Sequence, residues 1–307
     1  MSRRLGYAAV AFSAVLFALG GVFARSLMDQ GANPVELTEG RAWVATAGLG
    51  LILLIRRGVR RPSRASETPK ERFPLVPTLM FGGFLAAANL TYYLSISYLP
   101  VAIAVVLQYT GPAVVVLWKA VVDRTPPTRR VLVALFLSLC GVVLVTELHK
   151  VLTGGGVGLS AIGMLFAGIA SLAYAGYVLL GEHVGKTVDF ISSTFYAFVT
   201  ASTIWLVVQL FRGEPTTLDQ PRFWPPIVFL AVASTIASFL LFMWGLKRIG
   251  ASRAGITSTL EPVSAALFAW LFLSQGLSVV QIVGAALVIM GIGAIQAEKK
   301  APDLEAA

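Results

Sequence analysis

Apolar residues occur along this chain in long runs that are separated by short polar gaps. A helix needs about 20 such residues to cross the hydrocarbon core of a bilayer, which is ~30 Å thick. Ten runs have this length or approach it, so the pattern predicts ten membrane-spanning helices, numbered here span one to span ten. Their predicted bounds are 6–27, 36–55, 75–97, 101–121, 131–147, 160–181, 190–211, 226–246, 252–273 and 278–296.

Two of these spans contain a proline well inside the apolar run. Pro112 lies in span four, and Pro262 lies in span nine directly after Glu261. Proline has no N–H group, so it leaves the carbonyl four residues earlier without its helical partner and bends the helix. The sequence therefore predicts kinks at both prolines, which would free the carbonyls of Gln108 and Ser258.

Composition and charge identify a membrane protein and predict its orientation. The chain is 57% hydrophobic and 13% charged, whereas soluble domains carry about 25% charged residues. The net charge of +9 does not indicate nucleic-acid binding, because the basic residues cluster in the gaps between spans. With the N-terminus inside, 19 of the 24 Lys and Arg residues fall on the cytoplasmic side. The positive-inside rule then predicts that both termini are cytoplasmic.

The kinked spans belong to an internal repeat. Residues 98–145 align without a gap on residues 248–295, which places Pro112 on Pro262. Each half holds five spans, an odd number, so the second half must enter the membrane in the opposite orientation. The fold class predicted is an all-α integral membrane protein of ten transmembrane helices in two inverted five-helix repeats. Its parts are the first repeat 1–148, a Gly-rich periplasmic connection 149–158, the second repeat 159–297 and a cytoplasmic tail 298–307.

Glu261 is the one acid that lies well inside a predicted span. A charge at the bilayer centre costs roughly 2.5–3.5 kcal/mol on insertion scales, so this carboxylate needs a partner or a wet cavity. Three roles are open. It forms an ion pair with Arg41, Arg253 or Lys119 that holds the two halves in register, or it is a protonatable coupling group, or it binds a substrate ammonium.

Other polar side chains at mid-depth are candidates for lining a substrate cavity. A buried hydroxyl or amide needs a hydrogen-bond partner, so the alternative for each is a bond that joins two helices. The predicted cavity residues are Asn89, Tyr92, Tyr93, Gln108, Tyr109, Tyr174, Tyr196, Ser258 and Glu261, with Pro112 and Pro262 as gating kinks.

Residues near the span ends suggest anchors and a gate. Glu36, Glu39 and Arg41 open span two on its outer side, where they form ion pairs among themselves or an outer gate. Tryptophan anchors helices at headgroup level, and all six tryptophans map toward span ends. They are Trp43, Trp118, Trp205, Trp224, Trp244 and Trp270.

Four short segments carry a resemblance to a known family. They are Arg41 near the start of span two, the run from Tyr93 to Pro112, Leu260-Glu261-Pro262, and the run from Gly284 to Gly291. Over nearly its whole length the chain resembles the drug/metabolite transporter superfamily, specifically its EamA-type exporters, and most closely the YddG-type amino-acid exporters. It departs from the family just before spans five and ten, where Thr125 and Gln275 replace an acid that the family often carries.

The resemblance implies a central cavity formed by spans one to four and six to nine, with spans five and ten peripheral. It also implies export of amino acids, aromatic and neutral ones included, across the bacterial inner membrane by alternating access. An exporter of nucleotide-sugars, drugs or other small metabolites is the alternative on the same fold. A passive channel and a membrane-embedded enzyme are further alternatives, although no hydrolase or metalloprotease motif supports the enzyme.

Few residues could hold a cofactor. The chain has one cysteine, Cys140, and its two histidines, His149 and His183, lie in different gaps. We therefore expect no metal, no cofactor and no disulfide within a monomer. The expected partners are a small-molecule substrate and the lipid bilayer, without nucleic acid, and the protein is expected to be monomeric.

The orientation can be tested with reporter fusions. The basic residues predict that fusions at 150–157 and 214–220 lie outside, and that fusions at 60–70 and 184–188 lie inside. Alkaline phosphatase and fluorescent-protein fusions at these places measure the side directly. A reversed pattern at two or more of them would exclude both this orientation and the inverted repeat.

Overall fold

The regular elements of the described residues are helices. The computed structural model describes residues 3–59, 74–99, 101–153, 160–212, 215–273 and 276–297. In chain order the first half contains α1 (Arg3–Asp29), α2 (Pro34–Val59), α3 (Leu75–Tyr98), α4 (Val101–Gln108), α5 (Gly111–Val121), α6 (Arg129–Val145) and α7 (Leu148–Thr153). The second half contains α8 (Ala161–Thr187), α9 (Phe190–Arg212), α10 (Trp224–Phe229), α11 (Ala237–Ile249), α12 (Ala251–Ser258), α13 (Leu260–Leu273) and α14 (Val279–Gln296).

These helices match the predicted spans. Within the described residues, nine helical stretches are long and apolar enough to cross a membrane. Span five corresponds to α6, which has 17 residues and packs along α14, the helix of span ten. The prediction of an all-α membrane protein is confirmed.

At both predicted kinks the α-helix is interrupted, and we call these two places breaks. Span four is divided into α4 and α5 just before Pro112, and span nine is divided into α12 and α13 just before Pro262. Each end of α12 lies 150 residues after the matching end of α4, and α14 begins 150 residues after α6. The repeat that the sequence indicated is therefore present in the helix boundaries.

Packing between the halves follows the same symmetry. Helix α3 of span three packs against α8 of span six, and α11 of span eight packs against α1 of span one. Exchanging the two halves converts each of these contacts into the other, as expected for repeats related by a pseudo-two-fold axis. The contact between α3 and α9 is matched in the same way by the contact between α2 and the middle of span eight.

Small residues bring α6 and α14 close together. A Cβ atom on Gly141 would lie 2.6 Å from the Gly284 carbonyl oxygen, and one on Gly291 would lie 2.8 Å from the Ala134 carbonyl oxygen. These two contacts are the same contact made twice, since Ala134 and Gly284, like Gly141 and Gly291, are 150 residues apart. Backbone approach of this kind is typical of helix pairs in membranes.

Three features of the chain differ from the sequence prediction or were absent from it. Residues 148–153 form the short helix α7 in the predicted connection, whose glycines at 154–158 lie outside the described residues. Span eight contains a π-helical stretch, Leu230–Ile236, between α10 and α11. Trp205 is 2% exposed, so it is packed inside the bundle and the prediction of a headgroup anchor is wrong for this residue.

Candidate functional site

The break in span four is closed by side-chain hydroxyls. Pro112 has no N–H to donate, and the N–H groups of Ala113 and Val114 both donate to the Thr110 carbonyl, at 2.9 and 3.2 Å. The Thr110 hydroxyl donates to the Leu107 carbonyl at 2.6 Å and lies 2.8 Å from the Ser171 hydroxyl of α8. A local hydroxyl and a neighbouring helix therefore supply polar partners at the point where the helix is interrupted.

The break in span nine is built in the same way. The Ser258 hydroxyl donates to the Gly255 carbonyl at 2.7 Å, and the Thr259 hydroxyl donates to the Ile256 carbonyl at 2.7 Å. Because the Ser258 proton is engaged, the Tyr174 hydroxyl of α8 donates to Ser258 at 2.6 Å. Helix α8 thus contacts both breaks.

Tyr174 also lies directly on the backbone of span four. A Cβ atom on Gly111 would lie 2.6 Å from Cδ1 of the Tyr174 ring. Glycine at position 111 therefore allows the ring to lie between the two broken spans. Gly111 occupies the position of Glu261 in the repeat, 150 residues earlier.

A cavity of about 140 Å³ opens beside the two breaks. Its walls come from both halves of the chain, since α1, α3 and α4 contribute from the first and α8, α11, α12 and α13 from the second. We call it the larger cavity. It is lined by Ser13, Ala14, Phe17, Leu85, Ala88, Asn89, Tyr92, Gln108, Tyr174, Tyr177, Phe239, Phe242, Ser258 and Glu261.

A second cavity of about 30 Å³ adjoins the first. The two share Leu85, Asn89 and Phe239, so a single layer of side chains borders both. This smaller cavity is lined by Thr38, Arg41, Ala42, Leu85, Ala86, Asn89, Phe198, Ala201, Trp205, Thr235 and Phe239. Together the two cavities are lined by spans one to four and six to nine, and not by α6 or α14, which is the arrangement that the resemblance implies.

Glu261 is half-buried and borders the larger cavity. The Tyr109 hydroxyl is hydrogen-bonded to its carboxylate, and Arg41 is near enough to attract it electrostatically. Among the described residues, no ion pair joins Glu261 to Arg41, Arg253 or Lys119, so the structure does not contain the ion pair considered from the sequence. Lys119 instead pairs with Glu182 and Asp123.

Six of the nine predicted cavity residues line the larger cavity: Asn89, Tyr92, Gln108, Tyr174, Ser258 and Glu261. Tyr109 lies behind Glu261 and bonds to it, without bordering either cavity. Tyr93 and Tyr196 are half-buried and also lie outside both linings, where Tyr93 contacts the ring of Tyr92 and Tyr196 that of Phe195. For these three tyrosines a place in a substrate cavity stays a prediction, because depth in a span does not determine which way a helix face points.

Several lining residues had no signal in the sequence. Phe17, Phe239 and Phe242 are ordinary apolar residues of membrane helices, and only their rotation toward the centre places them in the cavity. Tyr177 is also a lining residue outside the predicted set. Its ring stacks on that of Phe81, with centroids 4.9 Å apart. A tyrosine three residues after Tyr174 lies on nearly the same helix face, which was the available clue.

Polar contacts close the bundle at the face that carries the N-terminus. The Lys119 ammonium lies 2.5 Å from a Glu182 carboxylate oxygen, and the Ala251 N–H donates to the other oxygen at 3.3 Å. Glu182 of α8 therefore connects the end of span four to the start of span nine, so the three helices that meet at the breaks are also joined at this face.

At the opposite face, Glu36 binds the loop that precedes span eight. Its carboxylate, which is 2% exposed, accepts hydrogen bonds from the N–H groups of residues 216–218 at 2.6–3.2 Å. Arg41 donates from Nε to the Thr235 hydroxyl at 3.2 Å, and among the described residues it forms no ion pair with either acid of its helix. The ion pairs considered among Glu36, Glu39 and Arg41 are therefore not formed by these described residues, since backbone N–H groups bind the Glu36 carboxylate and the Thr235 hydroxyl binds Arg41.

Comparison with known proteins places the chain in a family. The model of the EamA-like transporter family matches it twice, over residues 4–147 and 161–296. The chain belongs to the EamA-like transporter family. Like the helix boundaries, the two matches divide this EamA-like transporter into two halves of five spans each.

Relatives with curated names are transporters. An uncharacterized transporter of Archaeoglobus fulgidus is 27% identical over 289 residues, which cover 94% of this chain and 95% of the relative. An uncharacterized transporter of Synechocystis is 30% identical over 75% of this chain and 69% of the relative. The threonine/homoserine exporter RhtA of Salmonella typhimurium is 26% identical over 84% of this chain and 82% of that protein.

A solved crystal structure shares the fold. It superposes with a TM-score of 0.74 over 96% of this chain and 98% of the other, at 18% sequence identity. At that identity the likeness concerns the fold alone. The EamA-like transporter is therefore a multi-pass membrane protein of a known architecture.

Gly111→Ala should destabilise the site, because the new methyl group collides with the Tyr174 ring. Overpacking of this kind costs about 1–3 kcal/mol. Gly168→Ala is a matched control on α8, since a Cβ atom there meets nothing within 4 Å and alanine favours a helix by about 1 kcal/mol over glycine. Thermal unfolding in detergent should show a lower midpoint for Gly111→Ala and an unchanged or higher one for Gly168→Ala. Equal midpoints for the two variants would show that Tyr174 is not held against span four.

Proposed function

We propose that this protein exports amino acids, aromatic and neutral ones included, across the bacterial inner membrane by alternating access. The observation that supports this most is the larger cavity, which is lined from both halves at the level of the two broken spans and contains the carboxylate of Glu261. Membership of a transporter family and likeness to a threonine/homoserine exporter also support amino-acid export. No chemical step is part of the proposal.

The broken spans suggest where the motion occurs. Broken helices of this kind line the substrate sites of secondary transporters, which rock one repeat against the other around a central site. Here the breaks before Pro112 and Pro262 would act as hinges, with α8 in contact with both. The Glu182 contacts at the N-terminal face and the Glu36 contacts at the opposite face would form and open in alternation. The N-terminal face is cytoplasmic in this proposal.

Cavity size and charge favour amino acids over nucleotide-sugars. Pockets for drug-sized ligands are about 300–1,000 Å³, whereas the larger cavity is about 140 Å³. Among the described residues of the two linings, Arg41 is the basic one. A nucleotide-sugar carries a diphosphate that calls for several cationic groups, so the smaller zwitterionic substrate fits the observed site better.

Counterflow in proteoliposomes tests the substrate class. We expect labelled L-threonine and L-phenylalanine to accumulate in vesicles preloaded with the same unlabelled amino acid, and UDP-glucose to accumulate in none. Protein-free vesicles provide the background. Uptake of UDP-glucose without uptake of any amino acid would replace the proposal with its alternative.

The hinge role of the prolines predicts a specific pattern of defects. Replacing Pro112 or Pro262 with Ala restores an N–H donor and favours a continuous helix by up to about 3 kcal/mol. We therefore expect folded yield to be maintained or increased while the counterflow rate falls at least several-fold. Pro226→Ala, in the first turn of α10, is the control, because α10 is the first α-helix of its span and alanine there has no preceding α-helix to rejoin. Normal rates in both hinge variants would reduce the breaks to packing features.

A further inference from the structure

Arg41 presents unused hydrogen-bond donors to the smaller cavity. A guanidinium has five N–H donors in a planar fork that matches a carboxylate. In Arg41, Nε donates to the Thr235 hydroxyl at 3.2 Å. In the part of the chain that the structure describes, the two terminal nitrogens of Arg41 donate no hydrogen bond, and the residue borders the smaller cavity beside Thr38 and Asn89. Among the described residues these two nitrogens are therefore left to bind an acceptor that enters the cavity.

Glu261 presents the opposite charge to the adjoining space. Its carboxylate is bonded to Tyr109 and borders the larger cavity, which meets the smaller one at Leu85, Asn89 and Phe239. Arg41 and Glu261 attract each other without forming an ion pair. A cation and an anion are thus held apart across one connected region, and among the described residues neither forms an ion pair. Such charges are costly in a membrane unless something pairs with them.

Helix length places the two charges at similar depths. Glu261 is ten residues after the start of α12, and Arg41 is seven residues after the start of α2, which begins at the opposite face. At 1.5 Å per residue these positions are about 15 Å and about 10 Å from their respective faces. In a core ~30 Å thick the charges then differ by only about 5 Å in depth. A small molecule that carries both charges on one carbon can reach both.

We propose that Arg41 and Glu261 bind the two charges of a zwitterionic α-amino acid, Arg41 the carboxylate and Glu261 the ammonium. This inference rests on the proposed function and identifies its recognition site. Asn89 lies between the two cavities, and because its amide nitrogen donates to the Leu85 carbonyl at 2.8 Å, its amide oxygen is left to accept from the ammonium. The substrate side chain then occupies the larger cavity among Phe17, Tyr177 and Phe242.

The site is present in one half of the repeat, which gives it a single orientation. The position that corresponds to Glu261 in the first half is Gly111, which is covered by the Tyr174 ring. The ammonium site therefore exists once, although the surrounding breaks exist twice. A substrate that enters from either face meets the same pair of charges in the same arrangement.

Isothermal titration of the purified full-length protein with three matched ligands tests the assignment. The ligands are L-phenylalanine, its amide, which lacks the carboxylate, and 3-phenyllactate, which lacks the ammonium. We expect Arg41→Gln to weaken L-phenylalanine and 3-phenyllactate by about tenfold or more and to leave the amide unchanged. Glu261→Gln should weaken L-phenylalanine and the amide by a similar factor and leave 3-phenyllactate unchanged. The series is repeated with L-threonine, its amide and 2,3-dihydroxybutanoate.

The controls separate charge recognition from damage to the fold. Arg25 and Asp29 form an exposed pair at 3.1 Å near the end of α1, so Arg25→Gln and Asp29→Asn remove the same charges away from the site. Neither should alter binding. Arg41→Lys keeps the positive charge but not the fork, and should restore part of the loss seen with Arg41→Gln.

Two results would overturn the inference. If either variant weakens all three ligands by the same factor, its residue supports the fold and does not recognise one charge. If L-phenylalanine still binds more tightly than both analogues in both variants, other residues recognise its charges. These results leave amino-acid transport intact, whereas a wild-type protein that neither binds nor transports any amino acid would end the proposed function itself.

Discussion

The membrane requires every backbone polar group in its core to find a partner within the protein, and this requirement organises the site. Two prolines withdraw N–H donors at matching places, and the helices are interrupted there. Hydroxyls of Thr110, Ser258 and Thr259 bond to nearby carbonyls, and α8 adds Ser171 and Tyr174. The polar groups that close the breaks are the same groups that give the bundle a hydrophilic centre. A cavity at this level follows from closing two interrupted helices against one neighbour.

The sequence predicts how deep each residue lies in the membrane better than it predicts which way the side chain points. Apolar runs gave the spans, and the position of Pro262 gave the break in span nine to within a turn. Residues such as Asn89, Gln108 and Glu261 could be recognised because a polar group at mid-depth needs a hydrogen-bond partner or a wet cavity. Tyr93 and Tyr196 lie at similar depth in their spans, but neither is in the lining of the two cavities. Helix rotation is set by packing against neighbours, and a nearly uniform apolar helix carries little periodic signal to reveal it.

Long-range polar contacts were equally hidden in the sequence. Glu36 and Arg41 are five residues apart on one helix, yet Glu36 bonds to the loop at 216–218 and Arg41 to Thr235 in the π-helical stretch. Local spacing favoured a pair between neighbours on the helix. In the structure both side chains bond to partners from the other half of the chain. The π-helical turn, which inserts an extra residue and redirects Thr235, has no sequence signature comparable to proline.

The duplicated contact between α6 and α14 has a consequence for how charge is distributed between the halves. Two separate five-helix chains could form this contact, since Gly141 with Gly284 repeats Gly291 with Ala134. Identical subunits, however, would carry every substitution twice. An acid at the position of Glu261 in one subunit would then be accompanied by a second acid at the position of Gly111 in the other. Like charges at close range in a membrane are strongly unfavourable. Covalent fusion removes that symmetry requirement, so one copy can acquire a carboxylate while the other keeps the glycine on which an aromatic ring packs.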